Sequence, residues 1–216
     1  QEFGIETIDL WLPDVFGYAA CLPPILKKAG IRYFMTQKIS WNQVNRFPHH
    51  TFLWQGIDGT RIFTHFPPAD TYNGNMTPRE LMYHVRNFKE HDRATRALYI
   101  YGYGDGGGGP TAQMLEYARR LRDVEGMPRV TLEFAREFFA KAEAEAKDLP
   151  VWAGELYLEL HRGTYTTQAR NKRHNRKSEF LLREAEFLAC VRPDGLRNYP
   201  APQLERAWKL VLTNQF

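Results

Sequence analysis

Four stretches of the chain carry apolar, β-branched and aromatic residues almost without interruption: residues 7–12, 31–36, 61–66 and 97–101. Short runs of this kind predict strands buried on both faces. Between them the period lengthens to that of a helix. Residues 18–29 fit one that stops at Gly30, a residue suited to the left-handed position after a helix end. Thr77-Pro78-Arg79-Glu80 predicts a capping box with proline at the first helical position, opening a helix whose apolar stripe is Leu81, Met82, Val85 and Phe88. Residues 42–58 hold aromatics and Phe47-Pro48-His49-His50 without a clear period, an irregular excursion with room for a hairpin. Alternation of strand and helix predicts an α/β fold with a mostly parallel sheet and crossover helices.

The pattern changes after Pro110. Residues 111–122, 132–147 and 178–191 all read as amphipathic helices, the last with Phe180, Leu181, Ala185, Leu188 and Val191 on one side. Pro193, Gly195, Pro200 and Pro202 interrupt the pattern before a last helix over 203–212. The expected division is an α/β domain over 1–110 and a helical segment over 111–216 that includes part of a helical bundle.

Composition removes several classes of function. With 43% apolar and 14% aromatic residues among 216, the chain has ample material for a core, which rules out disorder. The net charge of +4 suggests a nucleic-acid partner at first sight, but the 29 basic residues are spread among 25 acidic ones. The dense basic run over 170–177 reads as a solvated helix face, so no nucleic acid is expected. Cys21 and Cys190 are too few for a disulfide framework or a cysteine zinc site, which fits a reducing, cytoplasmic compartment. No apolar run approaches the ~20 residues needed to span a bilayer, and no membrane partner is expected. Gln1-Glu2-Phe3-Gly4 runs directly into an apolar strand, the reading of a piece cut from a longer chain.

In a parallel sheet, loops leaving the C-terminal strand ends open on one face, where ligands bind. These loops carry Pro13-Asp14-Val15-Phe16-Gly17, then Gln37-Lys38, then residues 67–74 with Tyr72, then Gly102-Tyr103-Gly104-Asp105 and four glycines. Cleaving a glycosidic bond needs two carboxyl groups with opposite duties, and Asp14 and Asp105 form the natural pair. Phe16 and Tyr72 offer rings to stack on a sugar, and the glycines let a bulky substrate approach. Two other readings stay open on pattern alone. Pro-Asp and Asp-Gly are also ordinary turn chemistry. Gly102, Gly104 and Gly107 match a dinucleotide fingerprint, although Pro110 and the missing acidic residue on a following strand argue against it. His49 and His50 are adjacent and point to opposite sides of an extended segment, so a structural role is expected of them, as of His65 and His91.

Trp11-Leu12-Pro13-Asp14-Val15-Phe16-Gly17-Tyr18, Thr36-Gln37-Lys38-Ile39-Ser40-Trp41-Asn42, Phe47-Pro48-His49-His50-Thr51-Phe52 and Thr64-His65-Phe66-Pro67-Pro68 closely resemble glycoside hydrolase family 38 α-mannosidases. Gly104-Asp105-Gly106-Gly107-Gly108-Gly109-Pro110-Thr111 and Gly154-Glu155-Leu156, with His161-Arg162-Gly163-Thr164-Tyr165-Thr166, are similar to the cytosolic-type branch. The resemblance implies an incomplete β/α-barrel-like catalytic domain. It also implies hydrolysis of terminal α-linked mannose from oligosaccharides, with retention through a covalent mannosyl-aspartate. Asp14 is then the nucleophile and a ligand of one divalent metal, zinc or alternatively cobalt. Asp105 falls in the acid/base region, where relatives of the other branch carry two adjacent aspartates and this chain has Asp105-Gly106. Phe16 packs under the sugar, Tyr72 matches a tyrosine that touches the mannose, and Lys38 stands where other branches have an arginine. The family's other metal ligands, a His-x-Asp pair and a further histidine, fall outside residues 1–216. By itself this stretch is therefore expected to be inactive or unstable. A non-catalytic glycan-binding module is the competing class, and the oligomeric state, a homo-oligomer included, stays open.

Overall fold

The computed structural model describes residues 4–193 and 197–215; Gln1, Glu2, Phe3, Asp194, Gly195, Leu196 and Phe216 lie outside them. Three of the four predicted strands form: β1 (Asp9–Trp11), and, after β2 (Gly17–Tyr18) and helix α1 (Leu22–Lys28), β3 (Tyr33–Met35). A 3₁₀ turn (Lys38–Trp41) leads to β4 (Thr51–Gln55) and β5 (Arg61–His65). The helix read from residue 18 starts four residues later, because Gly17 and Tyr18 pair in an antiparallel ladder of their own. Gly30 sits just beyond α1 with φ 81°, the left-handed conformation expected there.

β1, β3 and β5 lie side by side in parallel, with Leu10 opposite Phe34 and Phe34 opposite Thr64. The irregular excursion contains the hairpin: β4 folds back antiparallel on β5 through residues 56–60. That hairpin explains the strand that does not form. β4 occupies the remaining edge of β5, so residues 97–101 gain only one parallel bridge, Gly74 to Tyr101, and otherwise run alongside. Leu98 still reaches β5 by donating its backbone N–H to His65 Nε2 at 3.0 Å.

Helix α2 (Pro78–Asn87) begins with the predicted box, since Glu80 N donates to Thr77 Oγ1 at 3.3 Å and Thr77 N to Glu80 Oε2 at 3.1 Å. Helices α3 (Ala112–Arg120) and α4 (Ala135–Glu145) follow, then β6 (Val151–Ala153) and β7 (Leu156–Tyr157). The sheet order is β1-β3-β5-β4-β6, with β6 parallel to β4 and β7 paired to β2. The second half is therefore not all helix up to its bundle. Two compact units result, Gln1–His161 and Arg162–Phe216, so the division falls well after residue 110. The physical reason is packing. α4 lays Phe138 and Phe139 on one sheet face, with Phe139 stacked on Tyr33 at 4.9 Å, while β6 extends the sheet itself. Burying two such rings is worth roughly 3–6 kcal/mol. The opposite face buries Phe34, Phe52, Trp54 and Ile62 against Leu26, Leu156 and Leu158.

In the second unit α5 (Ala169–Val191) is longer than its apolar pattern, and α6 (Ala201–Asn214) pairs with it through Asn175 Nδ2 to the Asn214 carbonyl at 3.0 Å. The basic run over 170–177 occupies the largely exposed first turns of α5.

His50, His65 and His84 are buried under the first unit's sheet and α2. His65 is held in one tautomer, since Nε2 accepts from Leu98 and Nδ1 therefore carries the proton toward Thr51 Oγ1 at 2.9 Å. Burial pushes His50 down to about 3, with Lys89 adding to it, and His84 down to about 4; it holds His65 well below the ordinary range. All three stay neutral in the folded state near pH 5, while the unfolded chain takes up protons below about pH 6.5. Stability is thus unaffected by these groups above that pH and lost progressively as pH falls toward 4, by up to ~1.4 kcal/mol per histidine per pH unit. The urea midpoint should drop between pH 7.5 and pH 5, and drop less in a His84→Gln variant; equal drops would remove His84 from the account.

Candidate active site

The first two strand exits are fastened at the backbone. Leu12 N donates to the Met35 carbonyl at 3.0 Å, and the Pro13 carbonyl accepts from Gln37 N at 3.2 Å and Lys38 N at 3.0 Å. Tyr18, buried behind them, donates to the Leu12 carbonyl at 2.7 Å and meets Thr36 Oγ1 at 2.8 Å. Burial drives the Tyr18 hydroxyl well above the usual tyrosine range, the hydrogen bond to Thr36 opposing and the charge of Asp14 reinforcing the shift. It remains a permanent donor.

Asp14 and Lys38, at the ends of β1 and β3, form an ion pair with Lys38 Nζ 2.6 Å from Asp14 Oδ1. Its two sides differ sharply in exposure, 6% for the lysine side chain and 45% for the aspartate. The ammonium also lies 3.4 Å from the centroid of the Trp41 ring and 5.7 Å from that of Phe16. A cation confined by aromatic faces and one carboxylate has little freedom to leave that carboxylate.

The third and fourth segments are joined as well. Gly74 N donates to the Ile100 carbonyl at 3.2 Å, Gly102 N to the Gly74 carbonyl at 2.9 Å, and Gly104 N to Asn73 Oδ1 at 2.6 Å. Two glycines permit this approach: a Cβ on Gly74 would sit 2.7 Å from the Ile100 carbonyl oxygen, and one on Gly104 would sit 2.8 Å from Asn73 Oδ1. The result brings the Tyr72 hydroxyl to 3.1 Å from Asp105 Oδ1, where Asp105 opens a short 3₁₀ turn (Asp105–Gly107) on the surface. The charge of Asp14 also acts on this hydroxyl, so Tyr72 lies within the influence of both carboxylates. Burial first, and then both aspartates, push the Tyr72 pKa far up, which keeps its proton in place.

Of the five residues expected at the site, Asp14, Lys38 and Phe16 are joined by the Lys38 ammonium, Tyr72 and Asp105 are joined by a hydrogen bond, and the charge of Asp14 reaches Tyr72. Two more belong to the site that the pattern did not single out. Trp41 stands three residues after Lys38 on the same 3₁₀ turn, a spacing that places the two side chains together. His161 comes from far along the chain, its ring 4.6 Å from Phe16 and 6.1 Å from Trp41, with backbone φ at 56°.

The glycine-rich segment does not have the form a dinucleotide requires. Residues 97–101 are not a sheet strand, and α3 starts only at Ala112, after Pro110 and the capping Thr111. His49 Nδ1 lies 3.1 Å from Oε1 of the buried Glu90, whose Oε2 accepts the backbone N–H of His50 and Thr51 at 3.0 and 2.9 Å. A cavity of about 740 Å³, bordered by Met76, Leu81, His84, Val130 and Phe138, lies apart from the carboxylates.

Residues 1–155 match the N-terminal domain of glycosyl hydrolases family 38, and residues 159–216 match the alpha mannosidase middle domain. The chain is 47% identical to Alpha-mannosidase 2C1 of Homo sapiens over 218 aligned positions, which covers all of this chain and 21% of that protein. It is 45% identical to Alpha-mannosidase G of Dictyostelium discoideum, covering all of this chain and 20% of that protein. The chain therefore spans about a fifth of the length of the curated relatives it matches. The crystal structure of an alpha-mannosidase from Enterococcus faecalis V583 superposes with a TM-score of 0.63 at 18% identity, over 99% of this chain and 26% of that one, a likeness of fold. With the two domain matches meeting near residue 157, close to the end of the first compact unit, the chain belongs to glycosyl hydrolases family 38.

Proposed function

We propose that these residues carry the reacting part of an enzyme that hydrolyses terminal α-linked mannose from oligosaccharides with retention of configuration. The observation that carries the reading is a pair of carboxylates set about one mouth, Asp14 held by Lys38 Nζ at 2.6 Å and Asp105 by the Tyr72 hydroxyl at 3.1 Å, with the charges of both acting on Tyr72. Retaining glycosidases set a nucleophile and an acid/base carboxyl group ~5–5.5 Å apart, the two duties proposed for Asp14 and Asp105.

In the first step an oxygen of Asp14 attacks the anomeric carbon while the glycosidic C–O bond breaks, and Asp105 gives its proton to the departing oxygen. In the second, water attacks the same carbon, Asp105 recovers a proton from it, and the mannose–Asp14 bond breaks. Lys38 has two effects in this scheme: it keeps Asp14 oriented, and its attraction for the carboxylate oxygen favours Asp14 as the group released at the end. Phe16 and Trp41 offer rings for the C–H face of a sugar, and Tyr72 orients Asp105 through its hydrogen bond.

The side chains present do not by themselves fit a zinc ion. Among the described residues no three of His, Cys, Asp and Glu come together, and Asp14 already holds an ammonium group. The metal implied by the family resemblance, zinc or cobalt, would accordingly take Asp14 as one ligand and the others from outside residues 1–216. A cytoplasmic setting is in keeping with the exposed, unpaired Cys21 and Cys190. Among the described residues no helix is long and apolar enough to cross a membrane.

The test is trapping of the full-length protein with a fluorinated mannosyl fluoride, with mass spectrometry of the labelled peptide. A mannosyl adduct on Asp14 is expected. Release of inverted mannose, or binding of the sugar with no cleavage, would replace the proposal by an inverting enzyme or a glycan-binding module.

A further inference from the structure

The loop after Trp41 has little packing of its own, and Val44 at its tip is 82% exposed. What holds it is a carboxylate from the other end of the first unit. Glu159, only 7% exposed, accepts from the backbone N–H of Val44 and of Asn45, each at 2.8 Å, and from Asn45 Nδ2 at 2.5 Å. The return contacts run the other way: Glu159 N donates to Asn42 Oδ1 at 2.7 Å, and Asn42 Nδ2 donates to the Tyr157 carbonyl at 3.3 Å. A buried carboxylate that receives two main-chain N–H groups is a strong, directional anchor.

The position of this clasp in the chain gives it a consequence for the site. On one side, the residues it grips follow directly on the 3₁₀ turn that carries Lys38 and Trp41. On the other, Glu159 stands two residues before His161, whose ring lies against Phe16 and near Trp41. Both segments bracketing the Lys38 ammonium therefore meet at one side chain. Trp41 is itself 46% exposed, so burial alone does not keep its face over Lys38.

We propose that Glu159 is a positioning residue for the reaction: by clasping Val44 and Asn45 it holds Trp41 over the Lys38 ammonium and so confines that ammonium to Asp14. This rests on the mannosidase reading above. When the clasp is lost the loop moves, the indole lifts, water reaches Lys38, and Asp14 loses its fixed aim. Displacement of a reacting group by about 1 Å is enough to cost about 100-fold.

The experiment measures hydrolysis of 4-nitrophenyl α-mannoside by the full-length protein, with Glu159→Ala and Glu159→Gln made both alone and in a Trp41→Ala background. Urea unfolding is followed for each. Glu159→Ala should lower kcat about 30- to 100-fold, and the isosteric Glu159→Gln about 10-fold, since its amide turns a donor toward an N–H group. In the Trp41→Ala background the same changes should cost less than about 3-fold, because the indole through which Glu159 acts is gone. Equal losses in both backgrounds, or a well-folded Glu159→Gln variant with unaltered kcat, would overturn the positioning role. Failure of the unsubstituted protein to hydrolyse the mannoside would instead sink the mannosidase reading, and this role with it.

Discussion

Asp14→Asn in the full-length protein should lower the turnover of an α-mannoside by roughly 10⁴-fold or more, the scale on which loss of a nucleophile acts. The substitution keeps the shape of the side chain and an oxygen for Lys38 to meet, so little else in the geometry need change. What disappears is the charge to which the proposed mechanism gives the attack on the anomeric carbon. A second effect accompanies the first. Lys38 is almost entirely buried, and its recorded ion pair is with Asp14. Removing one partner of a buried pair costs about 3–5 kcal/mol, and the half-exposed aspartate brings this down to about 1–3 kcal/mol, since solvent screens that side. The urea midpoint should therefore fall together with activity. A double variant, Asp14→Asn with Lys38→Met, should recover part of the stability and none of the turnover. An Asp14→Asn protein that retains even a hundredth of the activity would show that another group attacks.

Asp105→Ala is the second large effect, and its size should depend on the substrate. With an alkyl mannoside, whose leaving oxygen needs a proton, a loss of roughly 10²–10⁴-fold is expected. With an aryl mannoside bearing a strongly acidic phenol the first step no longer needs the acid, and most of that loss should vanish from the burst of phenol release. Deglycosylation stays slow, because the same group must draw a proton from water. Addition of azide should then restore turnover and yield a mannosyl azide. Equal losses for both substrates would reduce Asp105 to a partner of Tyr72. Gly106 allows no second carboxylate beside it in this chain, so no neighbour can take over the role.

Much of this arrangement was readable in the residues, for reasons that differ from one element to the next. β1, β3 and β5 were visible because strands covered on both faces need apolar residues at successive positions, as Tyr33, Phe34 and Met35 supply. The start of α2 was visible because its cap is local, made within four residues. Residues 97–101 have the same strand-forming composition, yet the edge they needed is filled by β4, which reaches β5 through a turn of a few residues. A nearby partner wins over one more than thirty residues away because its loop costs less entropy to close. β4 itself was obscured by Pro48 and the paired histidines before it. Asp14 and Lys38 could be inferred from strand ends alone. His161 could not, since its contribution depends on a left-handed backbone rare outside glycine and on a fold that brings residue 161 back to residue 16.

The hydrogen bonds from Gln37 and Lys38 to the Pro13 carbonyl have an evolutionary implication. They fix Asp14 and Lys38 to the pitch between neighbouring strands, about 4.8 Å, and leave no slack on either side. Insertions, which most surface segments absorb, have no room between Trp11 and Asp14 or between Met35 and Lys38. One added residue would turn the carboxylate away from the ammonium while leaving the sheet beneath intact. Inserted residues should accordingly be tolerated in the outlying turns, while the two short connections act as a gauge whose length activity depends on.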